Sequence, residues 1–118
     1  MAATANIEDV YDELQEFADT LWDLYQSMDT DPASLDKALS MYNTLENVYL
    51  EPIRREIYQM DTRALAGATA KLNQSTDGIN KTINYIANVI QTTNQLDQYV
   101  KVFDSIITIA AKAAAAVA

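Results

Sequence analysis

The chain has 118 residues, 49% hydrophobic and 21% charged, with two glycines, two prolines and neither cysteine nor histidine. This composition predicts one folded all-α domain over residues 1–118, and so few turn-forming residues exclude a β-sandwich or β-barrel. A net charge of −9 disfavours direct binding to nucleic acid or to an anionic membrane, because both would repel the chain. We expect an up-and-down antiparallel bundle of four or five helices, elongated if one helix is long.

The first predicted helix runs from Ile7 to Met28, after a flexible N-terminus over residues 1–5. Asn6 is expected to cap it, with Asp9 three residues later in the sequence. Its apolar residues alternate at spacings of three and four, which is typical of a buried helix face: Ile7, Val10, Leu14, Phe17, Leu21, Leu24 and Met28.

The second predicted helix starts near Pro32, and the short loop before it predicts an antiparallel hairpin with the first helix. Its apolar face comprises Leu35, Ala38, Leu39, Tyr42, Leu45, Val48 and Tyr49. Pro52 then either starts a third helix or kinks one long helix. We favour a third helix that begins after a tight corner at Leu50 and Glu51.

Residues 52–92 keep helical spacing of their apolar side chains throughout. A single long helix from Pro52 to Thr92 would satisfy this spacing. The polar stretch 73–78, which ends in Gly78, favours a break instead. The sequence leaves the two hypotheses open.

The last predicted helix has an apolar face of Leu96, Val100, Phe103, Ile107, Ala110, Ala114 and Val117. From Ile106 onwards the chain is apolar except for Thr108 and Lys112, and this run is too short to span a bilayer. We interpret it as a buried terminal helix with a frayed tail over residues 113–118. The alternative is a segment that docks on a partner or a membrane.

The predicted core combines these faces. It comprises Ile7, Val10, Leu14, Phe17, Leu21, Leu24, Leu35, Leu39, Tyr42, Leu45, Ile57, Leu72, Ile79, Ile83, Ile86, Ile90, Val100, Phe103 and Ile107. Each of these side chains lies on the apolar face of its own helix, so we expect the helices to meet along them.

The net charge is confined to the start of the chain. Residues 1–31 contain nine acidic residues and no Lys or Arg, whereas the rest of the chain contains eight of each. Five of the acids form a stripe along about 20 Å of helix: Asp9, Asp12, Glu16, Asp19 and Asp23. Like charges at these spacings repel, so the stripe is either a solubilising surface or a docking face for a basic protein partner. Trp22 beside it is either core edge or the aromatic anchor of that interface.

A second candidate interface consists of uncharged amides. They are Asn80, Asn84, Asn88, Gln91 and Gln95. Amides both donate and accept hydrogen bonds, so the stripe is either a partner-facing or self-association surface or ordinary solvated surface.

The residue types that usually perform catalysis are missing. Without histidine or cysteine the chain lacks the usual general base near neutral pH, the commonest metal ligand and any thiolate. Asp29, Asp31 and Asp36 lie near one loop, but the glycine and the terminal glutamate of a calcium-binding loop are absent, so we interpret them as caps and loop charges. We therefore expect no enzymatic activity, no metal and no cofactor.

These observations favour a non-catalytic protein-binding module, such as an inhibitor, an immunity protein or an adaptor, that presents an acidic helix to a basic partner. The alternative is a structural or self-associating helical subunit that uses the C-terminal helix and the Asn/Gln stripe. A membrane-active protein would depend on residues 106–118 alone. The N-terminus lacks the basic and apolar regions of a signal peptide and cysteine is absent, so a cytoplasmic location is expected.

Overall fold

The computed structural model describes residues 6–27, 32–75, 78–92 and 96–118, and nearly all of them are helical. They form six α-helices and one π-helical segment: α1 (Ile7–Ser27), α2 (Pro32–Asn43), the π-segment (Thr44–Leu50), α3 (Glu51–Gln59), α4 (Thr62–Ser75), α5 (Ile79–Thr92) and α6 (Leu96–Val117). Because α2, the π-segment and α3 follow one another without interruption, these ranges contain five helical rods and no strand. The predicted all-α helical bundle is confirmed.

Helix α1 begins at the predicted cap. The Asn6 side chain accepts a hydrogen bond from the Asp9 backbone N–H at 3.1 Å, and the Asp9 carboxylate accepts one from the Asn6 N–H at 3.0 Å. This reciprocal pair satisfies two N–H groups that the helix itself leaves unbonded. The Ile7 N–H donates to the Thr69 hydroxyl at 3.0 Å, which joins the start of α1 to α4.

The apolar face of α1 is the centre of the core. Five of its predicted core residues are completely buried: Ile7, Val10, Leu14, Phe17 and Leu21. Helix α1 contacts every other helix and the π-segment, so this face is covered on several sides. Leu24 is partly buried at the far end of the same face.

Helix α1 and the rod that follows it form the predicted antiparallel hairpin. The ring centroids of Trp22 and Tyr42 are 5.1 Å apart, and the Gln15 amide donates to Glu46 at 3.4 Å. Towards the start of α1, Arg54 donates to the Tyr11 hydroxyl at 3.0 Å. From Trp22 to Gln15 to Tyr11 the residue number falls along α1, while that of the contacting residue on the rod rises from 42 to 46 to 54. This is the order that antiparallel packing requires.

The tight corner predicted at Leu50 and Glu51 is wrong. Both residues have helical dihedral angles, with φ −70° and ψ −42° at Leu50 and φ −62° and ψ −47° at Glu51. The Glu51 N–H donates to the Glu46 carbonyl five residues earlier, which is the hydrogen bond of a π-helix. This wider turn directly precedes Pro52, and it lets the chain continue past a residue that lacks an N–H and whose ring crowds the carbonyl four residues back.

The π-segment also changes which side chains are buried. Ala38, Met41 and Leu45 are buried at spacings of three and four, but the next buried residues are Leu50 and Ile53. The five-residue step from Leu45 to Leu50 keeps both on one face. Val48, predicted on the apolar face, is consequently 57% exposed. Leu35 and Leu39, predicted in the core, are only half-buried because Ala38 and Met41 take the inward positions.

Two breaks divide residues 52–92, so the single long helix is wrong. Met60 has extended dihedral angles, with φ −86° and ψ 138°, and the Asp61 carboxylate then accepts from the Ala64 N–H at 2.8 Å. Gly78 has a φ of 129°, which a residue with a side chain rarely adopts. The Asn73 side chain accepts from the Ile79 N–H at 2.9 Å, directly after this glycine.

Helix α6 is rotated relative to its predicted face. Val100, Phe103 and Ile107 are only partly buried. The fully buried residues are Tyr99, Ile106, Ala110 and Ala113, because α6 packs against α1, α4 and the rod on different sides. The frayed tail predicted over residues 113–118 is also wrong, since α6 continues to Val117 and Ala116 and Val117 are buried.

The remaining predicted core residues fall into two groups. Leu45, Leu72, Ile79 and Ile86 are buried. Tyr42, Ile57, Ile83 and Ile90 are partly buried against the core. Met28 lies outside the described residues.

Tyr99 is a buried polar residue outside the predicted core. Its ring lies 5.1 Å from that of Phe17, at an angle of 53°. The hydroxyl has no hydrogen-bond partner among the described residues, and burial raises the pKa of Tyr99 above its usual 10.0. A hydroxyl buried without a partner lowers the stability of the folded state.

The π-segment predicts unequal effects for two neighbouring substitutions. Leu50→Ala should lower the free energy of unfolding by about 2–4 kcal/mol, because it opens a cavity in the core. Val48→Ala should change it by less than about 0.5 kcal/mol, since that side chain is mostly exposed. Urea denaturation of both variants measures the difference. Equal losses would mean that the helix keeps a regular α register here.

Two Tyr→Phe changes should have opposite effects. Tyr99→Phe removes an unpartnered hydroxyl and should raise the free energy of unfolding by about 1 kcal/mol. Tyr11→Phe removes a hydroxyl bonded to Gln15 and Arg54, and should lower it by about 1 kcal/mol. Thermal and urea denaturation test both. A loss of stability in Tyr99→Phe would show that its hydroxyl is satisfied in solution.

Candidate functional site

Four carboxylates form an exposed surface on α1, which we call the acidic face: Asp12, Glu16, Asp19 and Asp23. They recur at spacings of four, three and four, opposite the buried face of the same helix. Asp9, predicted as part of this stripe, is half-buried and caps the helix. Four of the five predicted acids thus lie together on one exposed surface, and the fifth, Asp9, belongs to the helix cap.

No carboxylate of α1 forms an ion pair within the described part of the chain. On the rod that packs against α1, two arginines pair with acids of the same rod: Arg54 with Glu46 at 3.1 Å, and Arg55 with Glu51. Neither of these ion pairs involves an acid of α1. The acidic face therefore keeps its charge.

A polar cluster borders the acidic face. The Tyr11 hydroxyl donates to the Gln15 side-chain oxygen at 3.0 Å, and the Gln15 amide donates to Asp19 at 3.2 Å. Arg54 donates to the Tyr11 hydroxyl and to Gln15, at 3.0 and 3.3 Å. Asp19 is therefore held by a chain of hydrogen bonds that reaches from α1 to α3. The sequence did not reveal this cluster, because its members are up to 43 residues apart.

Glu13 lies between the acidic face and the core. One of its carboxylate oxygens is inaccessible to solvent and has no hydrogen-bond partner among the described residues. Burial raises the pKa of Glu13, and the nearby carboxylates of Glu16, Asp12 and Asp9 raise it further. Burial and Asp9 also raise the pKa of Asp12. Burial is thus the main cause of both raised pKa values, and repulsion between neighbouring α1 carboxylates is a further cause.

Trp22 is half-buried and packs against two tyrosines. Its ring centroid lies 5.3 Å from that of Tyr25 and 5.1 Å from that of Tyr42. Offset aromatic contacts at such distances stabilise the packing of one helix on another. The residue thus joins α1 to α2 at the core edge, one position before Asp23 of the acidic face.

The amide stripe lies on the exposed side of α5. Asn80, Asn84, Asn88 and Gln91 are all exposed, whereas Gln95 lies outside the described residues. The opposite side of the helix is buried through Ile79, Thr82, Ile86 and Val89. The amide stripe and the acidic face therefore lie on different helices, α5 and α1.

Neither surface brings metal-ligand side chains together among the residues that the structure describes. Within the described ranges, no three carboxylates approach closely enough to hold a metal ion. Asp36 is exposed, and Asp29 and Asp31 of the predicted loop cluster lie outside those ranges. None of the described helices combines the length and the apolar character that crossing a bilayer requires.

No protein-family model matches the chain, and neither the curated proteins nor the solved structures give a significant match. The acidic face and the amide stripe are therefore the two candidate sites. The acidic face has the stronger physical signature, because it combines exposure, charge of one sign and the absence of described ion pairs.

Neutralising Glu13 should stabilise the protein in a pH-dependent manner. Its raised pKa means that the folded state binds the proton more tightly than the unfolded state does. Protonation of Glu13 therefore stabilises the fold fully below the usual pKa of 4.5, and this stabilisation is lost as the pH rises through the raised pKa. Glu13→Gln should raise the free energy of unfolding at pH 7 by roughly 0.5–1 kcal/mol, because two like-charge pairs at helical spacing disappear.

The measurement is urea denaturation between about pH 4 and pH 7, where the variant should show a smaller loss of stability with rising pH than the native chain. Glu56→Gln, an exposed change on α3, is the matched control. A Glu13→Gln variant less stable than the native chain at pH 7 would contradict this account of the site.

Proposed function

We propose that this chain is a non-catalytic protein-binding module that presents the acidic face of α1 to a basic protein partner. Asp12, Glu16, Asp19 and Asp23 would make the charged contacts. Trp22 would contribute at the edge through its exposed part. An inhibitor, an immunity protein or an adaptor would use such a surface in this way.

The observation that supports the proposal most directly is the uncompensated charge of α1. Its exposed carboxylates have no described Lys or Arg partner, although Arg54 and Arg55 lie on the adjacent α3. Repulsion within the set has a cost in stability, and a solubilising surface could avoid that cost by mixing both signs of charge. A basic partner would relieve the repulsion on binding.

The rigidity of α1 also suits a docking role. Its apolar face is completely buried at five positions, and hydrogen bonds hold Asp19 from the side. Charged groups that are already in place lose little conformational freedom on binding. Their main effects are to accelerate association and to fix the orientation of the partner, and both effects weaken as salt screens the charges.

A cytoplasmic location is part of the proposal, and it is supported by the absence of cysteine from a small acidic domain. The lack of histidine and cysteine favours binding over catalysis. The C-terminal helix is a poor candidate for the partner surface, because Ile106, Ala110 and Ala113 are already buried in the chain's own core.

The test compares three baits in pull-downs from lysate of the source cells. The acidic-face variant combines Asp12→Asn, Glu16→Gln, Asp19→Asn and Asp23→Asn. The matched control combines Asp36→Asn, Glu56→Gln, Asp97→Asn and Asp104→Asn, which are exposed acids elsewhere. Both variants change the net charge equally, so a difference between them reports position and not total charge.

We expect the native chain and the control to capture the same basic protein and the acidic-face variant to lose it. With that protein purified, affinity for the acidic-face variant should be at least about tenfold lower and should depend less on salt. Equal capture by all three baits, or loss in both variants, would refute the proposal. Circular dichroism verifies that each bait is helical.

A further inference from the structure

The exposed side of α5 forms an uncharged surface, which we call the amide face: Asn80, Asn84, Asn88 and Gln91. They follow one another at spacings of four, four and three, so they form a single line along the helix. Tyr85 flanks this line and is 38% exposed. Lys81 is the one charged residue of α5.

We propose that the amide face is the contact surface for a second copy of this chain, with the two α5 helices antiparallel. This interaction is separate from the proposed binding of a basic partner by α1. A primary amide offers both donors and an acceptor, so a line of amides is complementary to itself. A surface that complements itself is what a contact across a twofold axis requires.

The spacing of the amides fits the antiparallel arrangement. With the twofold axis at the level of residue 86, Asn84 of one copy lies opposite Asn88 of the other, and Asn80 lies one residue beyond the level of Gln91. Lys81 then lies opposite Gln91, with the two lysines about 15 Å apart along the axis at 1.5 Å per residue. In a parallel arrangement the lysines would face each other and repel, so the charge distribution selects the antiparallel contact.

The distribution of acids favours the same surface. Two copies with a charge of −9 repel each other, and the strongest repulsion is expected where the α1 carboxylates approach. The helices α4 and α5 contain no acidic residue. Contact through α5 therefore brings two acidic molecules together along a line that has no carboxylates.

Helix stability does not account for the three asparagines. Asparagine is a weak helix former at exposed positions, because its short amide competes for backbone hydrogen bonds in other conformations. Lysine, glutamate or alanine would stabilise an isolated α5 better at Asn80, Asn84 and Asn88. In a contact with a second copy, the amides would gain hydrogen bonds that are otherwise made to water.

The size of α5 sets the expected strength. A helix of 14 residues is roughly 20 Å long, and it cannot bury the approximately 800 Å² per partner of a standard interface. We therefore expect a weak and reversible dimer, with a dissociation constant of about 0.1–1 mM.

The experiment is sedimentation equilibrium of the full chain from about 20 μM to about 2 mM, at low and at high salt. Asn84→Glu with Asn88→Glu places like charges opposite each other across the axis. Asn84→Lys with Asn88→Lys does the same while it lowers the net negative charge. The matched control is Asn43→Glu with Gln59→Glu, at exposed amides of α2 and α3.

We expect the native chain and the control to form a dimer that high salt strengthens, because screening reduces the repulsion between the copies. Both α5 variants should associate at least about tenfold more weakly. A native chain that stays monomeric over the whole range, or α5 variants that dimerise like the native chain, would overturn the proposal.

Association that weakens with salt would also overturn it, since that result indicates a contact between opposite charges. The acidic-face variant distinguishes this proposal from the proposed function. It should dimerise at least as well as the native chain, because its amide face is intact and its copies repel less. Loss of the dimer in that variant would locate the contact on α1 and refute the assignment to α5.

Discussion

The burial of one face of α1 is the constraint on which the rest of the structure depends. Helix α1 contacts every other helix of the described chain, and its five innermost apolar side chains are completely buried. Phe17 packs against Tyr99 of α6, and the backbone of Ile7 is bonded to Thr69 of α4. Rotating α1 would expose these side chains and break both contacts. The same packing fixes the outward direction of Asp12, Glu16 and Asp23, because they lie on the opposite side of a helix that cannot turn.

The π-segment connects backbone geometry to the candidate site. Its five-residue step keeps Leu45 and Leu50 on the core side and leaves Val48 exposed. Glu46 belongs to the same segment and bonds to Gln15 of α1 and to Arg54 of α3. Arg54 thus forms an ion pair with Glu46, and it donates to Gln15, which in turn donates to Asp19 at the edge of the acidic face. The carboxylates of that face have no ion-pair partner among the described residues.

The electrostatics of α1 conflict with its own stability. Carboxylates at spacings of three and four repel, and this repulsion adds to burial, the larger cause, in raising the pKa values of Asp12 and Glu13. A helix with such a conflict departs from local consistency, whereas Arg54 and Arg55 on the adjacent rod pair with acids of that rod. Departures of this kind are expected at functional surfaces, where the compensating interaction lies in another molecule. The amide face of α5 is a second and weaker example, since asparagines lower the stability of α5 as an isolated helix.

Local patterns in the sequence determined the class of fold, the seam from Ile7 to Leu21, the cap at Asn6 and the line of acids on α1. Each depends on neighbours within a few residues, and helical periodicity alone decides which side chains share a face. Only the tertiary structure decided that the helix continues through Leu50 and breaks at Met60. It also decided that Ile106 is fully buried and Ile107 only partly, and that Arg54 forms its ion pair with Glu46 and not with an acid of α1. A helix surrounded by several neighbours can bury more than one side, so its own periodicity does not fix its rotation. Side chains such as Tyr11 and Arg54 meet only because separate helices are packed together, and spacing along the chain does not encode such contacts.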